Sequence, residues 1–163
     1  MTPGMATIDL KSLVGRLDGP CRRALEAAAG LTLSRTHYNV ELEQWLVKLL
    51  DVSDGDLPAI LRHYEVEEGR LRADLARAMD RMKTGNARAP ALSPDIVECA
   101  KQAWLFASVE QGSAKVRSGH LLWALLADET LARRDSPQTL SRRAFLLPES
   151  RGICAEGWWV APR

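Results

Sequence analysis

The chain has 163 residues, of which 46% are hydrophobic and 26% are charged, a length and composition typical of a soluble globular protein of one domain. Its 22 Lys and Arg residues nearly balance its 21 Asp and Glu residues, so the formal net charge is +1 and a nucleic-acid partner is not expected. The longest apolar run, LLWALLA, is too short to cross a bilayer, and the N-terminus lacks the pattern of a signal peptide. We therefore expect a cytoplasmic protein without a membrane partner.

The first half of the chain shows the apolar spacing of α-helices. Residues 7–18 are predicted to form a short helix, because apolar side chains recur at i, i+3, i+4 and i+7: Leu10, Leu13, Val14 and Leu17. After a break at Asp18-Gly-Pro, a second helix extends to about residue 34 and is rich in alanine, so another helix could approach its backbone closely. Further helices are expected at 40–51, 56–64 and 65–83.

The second half begins with a predicted linker, residues 84–93, which contains glycine and proline and has no periodicity. Ser93 followed by Pro94 is a strong helix start, an N-cap and then a proline in the first turn. Helices are expected from there to about residue 112 and again over 120–128. No segment alternates apolar and polar residues for long enough to indicate a strand, so the predicted fold class is all-α. The pattern weakens after residue 128, and we expect 148–163 to be a non-native or disordered tail.

The two halves of the chain align without a gap when 21–44 is laid over 97–120. Two leucine trios then coincide, Leu46, Leu49 and Leu50 with Leu122, Leu125 and Leu126. In the helices before them, Ala24 falls on Ala100 and Ala27 on Ala103. We predict two copies of one helical unit, 19–83 and an apparently shortened 94–147, packed about a pseudo-twofold axis. Leucines at this spacing also recur in unrelated helical proteins, so the repeat is a hypothesis at this point.

The residues HLLWALL at 120–126 resemble the signature of the Clp N-terminal domain, which opens the hexameric Clp unfoldases of the AAA+ class. Residues 8–51 resemble the ClpV branch, which recycles the contracted sheath of type VI secretion systems. Two features point to that branch: the helix 7–18 ahead of the first repeat, and the passage THYNVE at 36–41 into a tryptophan-containing helix. The resemblance implies a double Clp N-domain fold, a monomeric isolated domain and a hexameric parent. It also implies that His120 packs and caps the start of its helix.

The partner implied by this resemblance is an N-terminal helix of the large sheath subunit (VipB/TssC type), bound in a hydrophobic groove. We expect the groove where the N-terminal helix lies beside the alanine-rich helix, since the walls would be apolar and the floor low. The predicted groove residues are Leu13, Val14, Leu17, Ala24, Ala28 and Leu31. Arg22, Arg23 and Arg35 lie near it and could steer acidic groups of the peptide. The simpler alternative is that the N-terminal helix only completes the core and the arginines form a solvated face.

No enzymatic site is expected in the chain. It has no GxxxxGK[ST] phosphate-binding loop, so it cannot hydrolyse ATP by the family's route, and no cofactor is predicted. The three cysteines form no Cys-x-x-Cys pair, and the three histidines have no ligand at metal-site spacing, so free thiols and no metal site are expected: Cys21, Cys99, Cys154, His37, His63 and His120. The tryptophans at 45 and 104 are expected in the core, and that at 123 partly exposed.

Two alternative functions remain open from the sequence. One is a general Clp N-domain that binds adaptors or unfolded clients, as in ClpA, ClpB or ClpC. The other is a small helical enzyme, for which Cys21 and His37 are the only pair worth considering, although Cys21 lies at a helix start and is expected to pack.

Overall fold

The computed structural model describes residues 9–53, 55–63 and 65–127. The predicted tail at 148–163, the end of the second repeat, and Cys154 lie outside the described residues. The α-helices are Leu10–Gly15 (α1), Gly19–Ser34 (α2), Leu42–Leu50 (α3), Asp56–His63 (α4), Glu68–Asp80 (α5), Pro94–Leu105 (α6) and Ser118–Ala127 (α7). A π-helical turn, Phe106–Glu110, continues α6, and the strands are Asn39–Val40 (β1) and Ala91–Leu92 (β2).

Side-chain caps fix where three of these helices start. Asp9 accepts a hydrogen bond from the backbone N–H of Lys11 and is the N-cap of α1. The Asp18 carboxylate accepts from the backbone N–H of Cys21 at 2.9 Å and starts α2, as the sequence suggests. Ser93 does the same for α6 through the N–H of Ile96, which confirms the predicted Ser-Pro helix start.

The prediction that the described chain contains no strand is wrong for one short pair. β1 and β2 run parallel, with Asn39 beside Ala91 and Val40 beside Leu92. The predicted linker therefore lies along the loop after α2, where the N–H of Asn86 also donates to the carbonyl of Thr36 at 2.9 Å. Two residues per strand are too few to produce an alternating pattern, so the sequence carried no signal for this pairing. The all-α fold class is otherwise confirmed.

The core is one apolar cluster to which both halves of the chain contribute. α2 packs against α3 and α6 against α7, and α4 joins the halves by packing on α7. The helix that begins each hairpin buries small residues, Ala24 and Ala28 in α2 and Ala100 and Ala103 in α6. These side chains let the neighbouring helix approach closely, since alanine adds little bulk between two backbones. Trp45, 1% exposed, fills the space between α2 and α3 and donates its indole N–H to the carbonyl of Cys21 at 3.2 Å.

Gln44 and His120, which coincide in the alignment of the two halves, have equivalent roles at the starts of α3 and α7. The side-chain oxygen of Gln44 accepts from the N–H of Glu41 at 2.6 Å, and His120 Nδ1 accepts from the N–H of Arg117 at 2.9 Å. Complete burial lowers the pKa of His120 to about 4, so the imidazole is neutral and its Nε2–H donates to Gln111 at 2.8 Å. The capping role implied for His120 is confirmed.

The first helices of the two copies, α2 and α6, match at a sequence offset one residue smaller than that of the gap-free alignment. The N-caps Asp18 and Ser93 are equivalent, although the gap-free alignment places Asp18 over Pro94. The buried positions of α2 follow the same register, so that Ala24 corresponds to Cys99 and not to Ala100: 21, 24, 25, 28 and 32 in α2 against 96, 99, 100, 103 and 107. For these two helices, the gap-free alignment is therefore displaced by one residue from the correspondence in the structure.

The π-turn after α6 accommodates the additional residue of the second copy. The helix end of α2 is closed by a bond from the N–H of His37 to the carbonyl of Thr32, at 3.0 Å. In the second copy the matching bond runs from the N–H of Ser113 to the carbonyl of Ala107 and spans one residue more. The left-handed position is Thr36 (φ 56°) in the first copy and Gly112 (φ 60°) in the second, and these two again coincide in the gap-free alignment. A π-turn is the usual way for a helix to absorb a single inserted residue.

Candidate functional site

The N-terminal helix α1 lies against α6, whereas the sequence placed it beside the alanine-rich α2. Its C-terminal end is held by the second half of the chain: the Lys115 ammonium donates to the carbonyl of Gly15 at 2.7 Å, and the N–H of Val116 donates to the carbonyl of Arg16 at 2.7 Å. The Arg16 guanidinium also lies 4.8 Å from the ring centroid of Trp104. The physical reason for the difference is that α3 already covers the small-residue face of α2.

A shallow cleft with about 10 Å³ of enclosed space, roughly the room for one water molecule, lies between α1 and the first two turns of α6. Every residue that lines it is apolar: Leu10, Leu13, Val14, Leu17, Leu25, Trp45, Leu92, Ile96, Val97 and Ala100. Leu10 is 42% exposed at the rim, and Val14 and Val97 are half-buried. The deeper residues Leu13 and Leu17 are part of the core. The cleft thus presents a shallow apolar surface on a buried base.

The predicted groove residues divide into two sets in the structure. Leu13, Val14 and Leu17 line the cleft. Ala24 and Ala28 are buried in the core, and Leu31 is half-buried on α2, outside the residues that line the cleft. Small residues in a helix indicate close packing, but they do not say whether the close neighbour belongs to the same chain or to a ligand.

The α6 side of the cleft was missed by the sequence analysis. Ile96, Val97 and Ala100 lie at helical spacing just after the Ser93 N-cap, so an apolar stripe was visible there. What the sequence could not reveal is that α1 crosses to this stripe in the other half of the chain. Leu10 belonged to the predicted stripe of the first helix but not to the predicted groove.

The other residues singled out by sequence lie away from the cleft or inside the core. Arg22 and Arg23 are exposed on α2, and Arg35 pairs with Asp80 at 3.3 Å. His37 is buried, and its Nδ1 accepts from the side-chain amide of Gln44 at 2.9 Å. Trp104 and Trp123 are half-buried, the second stacked on Phe106 with ring centroids 3.9 Å apart.

Cys21 and Cys99 are buried thiols and form no disulfide within the described residues. Burial, reinforced by the Asp18 carboxylate, raises the pKa of the Cys21 thiol well above its usual value, so the thiol stays protonated and is a poor nucleophile. Among the described residues, no three His, Cys, Asp or Glu side chains are placed to hold a metal ion. Within the same residues, no helix has the length and apolar character needed to span a membrane.

Three acidic residues lie at the N-termini of α3 and α6, which the β1–β2 pair brings side by side near one end of the cleft. Glu41 is the N-cap of α3, Glu43 lies in its first turn, and Asp95 lies in the first turn of α6. Glu43 is 4% exposed, and its Oε2 atom has no hydrogen-bond partner among the described residues. Burial raises the pKa values of both glutamates, and the charge of Asp95 adds to the increase for each.

Replacing Glu43 with glutamine is expected to stabilise the domain near pH 7, because it removes a buried charge that burial and the neighbouring carboxylates of Glu41 and Asp95 disfavour. Because the pKa of Glu43 is raised in the folded state, its contribution favours folding below the unfolded value of 4.5 and is lost as pH rises through the folded value. Urea unfolding at pH 4 and pH 7 should show that the difference in the free energy of unfolding between the variant and the wild type is larger at pH 7. Equal gains at both values would contradict the assignment.

The family model for the Clp repeat (R) N-terminal domain matches residues 16–135 of the chain. Among curated proteins, the AAA+ ATPase ClpV1 of Pseudomonas aeruginosa is 32% identical over 127 residues, 78% of this chain and 14% of that protein. The chaperone ClpB of Yersinia enterocolitica is 34% identical over 126 residues, 77% of this chain and 14% of the relative. The chain therefore spans about 14% of the length of these two relatives.

Solved structures of ClpV N-domains share the fold. A complex of a ClpV N-domain with a VipB peptide has a TM-score of 0.80 and 29% identity, covering 94% of this chain and 92% of that one. The N-domain of ClpV from Vibrio cholerae has a TM-score of 0.78 and 32% identity, with 94% and 89% covered. The N-terminal domain of ClpV1 from the Sci1 type VI system of E. coli has a TM-score of 0.73 and 33% identity, with 88% and 90% covered.

The Clp N-domain is a substrate-binding domain and not the ATPase module, in agreement with the lack of a GxxxxGK[ST] loop in the sequence. The family model covers most of the chain, and the two curated relatives agree with it over most of the same residues. The chain belongs to the Clp repeat (R) N-terminal domain family, and its fold is that of the ClpV-type N-domains.

Proposed function

We propose that this chain is the substrate-recognition domain of a ClpV unfoldase of a type VI secretion system. It binds an N-terminal helix of the large sheath subunit (VipB/TssC type), so that contracted sheaths are disassembled and recycled. The observation that carries the proposal is the similarity to a ClpV N-domain solved with a VipB peptide, at a TM-score of 0.80. The parent protein is a cytoplasmic AAA+ ATPase whose remaining domains supply ATP hydrolysis.

The binding site is the cleft between α1 and α6. An amphipathic helix presents apolar side chains at i, i+3, i+4 and i+7, and such a stripe requires an apolar trough with an open side. The cleft supplies this trough, because all its lining residues are apolar and its rim residues Leu10, Val14 and Val97 remain accessible. Residues 7–18 then act as an addition to a two-repeat scaffold, with the repeats at 19–83 and 94–147 and the linker between them.

Val97→Gln is expected to weaken binding of the sheath-subunit helix about 10- to 30-fold, because it places an amide in the apolar trough at a contact position. Glutamine is a good helix former, so the change leaves α6 intact. Val109→Gln is the matched control, since Val109 is 74% exposed on the π-turn outside the cleft. Titration calorimetry with a synthetic N-terminal helix of the large sheath subunit measures both affinities.

Two outcomes would count against these proposals. Equal affinities for the two variants, both folded by circular dichroism, would place the site elsewhere on the domain. No measurable binding by the wild type would remove the sheath-subunit function itself.

A second function is favoured by the 34% identity to the chaperone ClpB. In it, the domain binds adaptors or unfolded clients of a general Clp unfoldase. A pull-down with the immobilised domain separates the two functions, because the first predicts capture of the sheath subunit and the second predicts capture of heat-denatured proteins of many sequences.

A further inference from the structure

The carboxylates of Glu41, Glu43 and Asp95 form a group that we call the acidic end of the cleft. The strand pair brings them together, because the N–H of Ser93 donates to the carbonyl of Val40 at 3.0 Å and so places the start of α6 beside the start of α3. Glu41 and Asp95 are half-buried and accessible at the surface, whereas Glu43 lies behind them at 4% exposure.

The acidic end adjoins the apolar cleft directly. Asp95 precedes Ile96 and Val97, which line the cleft, and Leu92 lines it just before the N-cap of the same helix. On the α3 side, the N–H of Trp45, another lining residue, donates to the carbonyl of Glu41 at 3.3 Å. A helix that lies along α6 in the cleft would therefore have one end near the residues that carry these carboxylates.

The two glutamates of the acidic end have no compensating positive charge in the described part of the chain. Carboxylates at helix N-termini are normally stabilised by the helix dipole, which lowers their pKa values. Here burial and the repulsion of neighbouring carboxylates raise the pKa values of Glu41 and Glu43 instead. Other carboxylates of the domain, such as Asp51 and Asp56, are paired with an arginine. The unpartnered Oε2 of Glu43 is a buried acceptor without a donor among the described residues.

The opposite end of the α1–α6 contact has the reverse charge. Arg16 lies over Trp104 there, and Lys115 reaches the last turn of α1. The two ends of the cleft therefore differ in sign, and a bound helix with one charged terminal turn would have a preferred direction.

We infer that the helix bound in the cleft carries a Lys or Arg side chain one turn beyond its apolar face, and that Glu41 and Asp95 receive this cation. The inference rests on the proposed function of the cleft and adds a charge requirement and a direction to it. A side-chain cation suits this end better than a metal ion, since no three ligating side chains in the described part of the chain are placed to coordinate one. Glu43 contributes its field from behind the two accessible carboxylates.

The test uses synthetic peptides of the N-terminal helix of the large sheath subunit that differ at one position. Lysine or glutamine is placed at the first exposed position beyond the apolar face, at the N-terminal end in one pair and at the C-terminal end in the other. We expect lysine at one end only to bind about 5- to 10-fold more tightly than glutamine, and the gain to shrink with added salt. Lysine at the other end meets Arg16 and Lys115 and gives no gain.

The gain should disappear for the Glu41→Gln/Asp95→Asn double variant and persist for Asp80→Asn/Glu110→Gln. The second pair removes the same number of charges at exposed positions away from the cleft. Because Glu41 caps α3, its replacement also affects the helix, so Asp95→Asn alone is measured as well. In this variant, about half of the gain in binding free energy from lysine over glutamine should be lost.

Each outcome decides between the two proposals. If all four peptides bind the wild type with the same affinity, the charge inference is wrong while the cleft remains the site for an apolar helix. If lysine improves binding equally in the acidic-end double variant, the cation is received elsewhere and the inference is also wrong. If no peptide binds, the proposed function fails, and the inference fails with it.

Discussion

Asp56→Asn is expected to lower the free energy of unfolding by about 3 kcal/mol, because it removes the charge from a buried ion pair and leaves its partner uncompensated. Asp56 is 4% exposed at the start of α4, and its carboxylate accepts from Nε of Arg117 at 2.8 Å. Beside it, the N–H of Leu57 donates to the hydroxyl of Ser118 at 3.2 Å. These contacts join the first half of the chain to the start of α7, so their loss weakens the junction between the two repeats.

Urea unfolding followed by circular dichroism measures the effect, and Asp80→Asn is the matched control. Asp80 pairs with Arg35 at 3.3 Å, but its side chain is 67% exposed, and a surface pair of this kind contributes about 0–1 kcal/mol. Similar losses for the two variants would mean that the Asp56–Arg117 pair contributes no more than a surface pair.

Trp45→Ala is expected to destabilise the domain by about 3–5 kcal/mol, the usual range for a buried aromatic residue replaced by alanine. Trp45 is 1% exposed, holds α3 against α2 and also forms the floor of the cleft. Trp45→Phe keeps most of the apolar contact but leaves the Cys21 carbonyl without its indole donor, so a smaller loss of about 1–3 kcal/mol is expected.

Trp104→Ala provides the comparison at a half-buried tryptophan on α6, where the ring contacts the Arg16 guanidinium. The same unfolding measurement should give a loss well below that of Trp45→Ala. An equal loss at both positions would show that the floor of the cleft is no better packed than the surface of α6.

The starts of α1, α2 and α6 show how far local patterns reach. The spacing of Leu10, Leu13, Val14 and Leu17 predicted α1, and the caps at Asp18 and Ser93 predicted the starts of α2 and α6. These features depend on residues within a few positions of each other, so the chain specifies them locally. The left-handed position at Thr36 gave no such signal, because threonine is uncommon there, whereas its counterpart in the second copy is glycine.

The candidate site was predicted in part for the same reason. The apolar stripe of α1 identified Leu13, Val14 and Leu17, which line the cleft. The alanines of α2 are equally consistent with a ligand and with a neighbouring helix, and the structure places α3 against them. Their assignment to a groove required knowledge of which helix lies next to which, and a periodicity does not contain that information.

By itself, then, the sequence determined that the chain is helical, that its leucine-rich helix occurs in two copies and that it resembles a ClpV N-domain. Only the tertiary structure decided that α1 crosses to α6, that the linker pairs with the loop after α2, and that the acidic starts of α3 and α6 lie side by side near one end of an apolar cleft. Helix formation and capping are fixed by interactions over one or two turns. The cleft and its charge depend on contacts between residues far apart in the chain, such as Lys115 with Gly15 and Leu92 with Val40, and these form only when the two repeats pack on a common core.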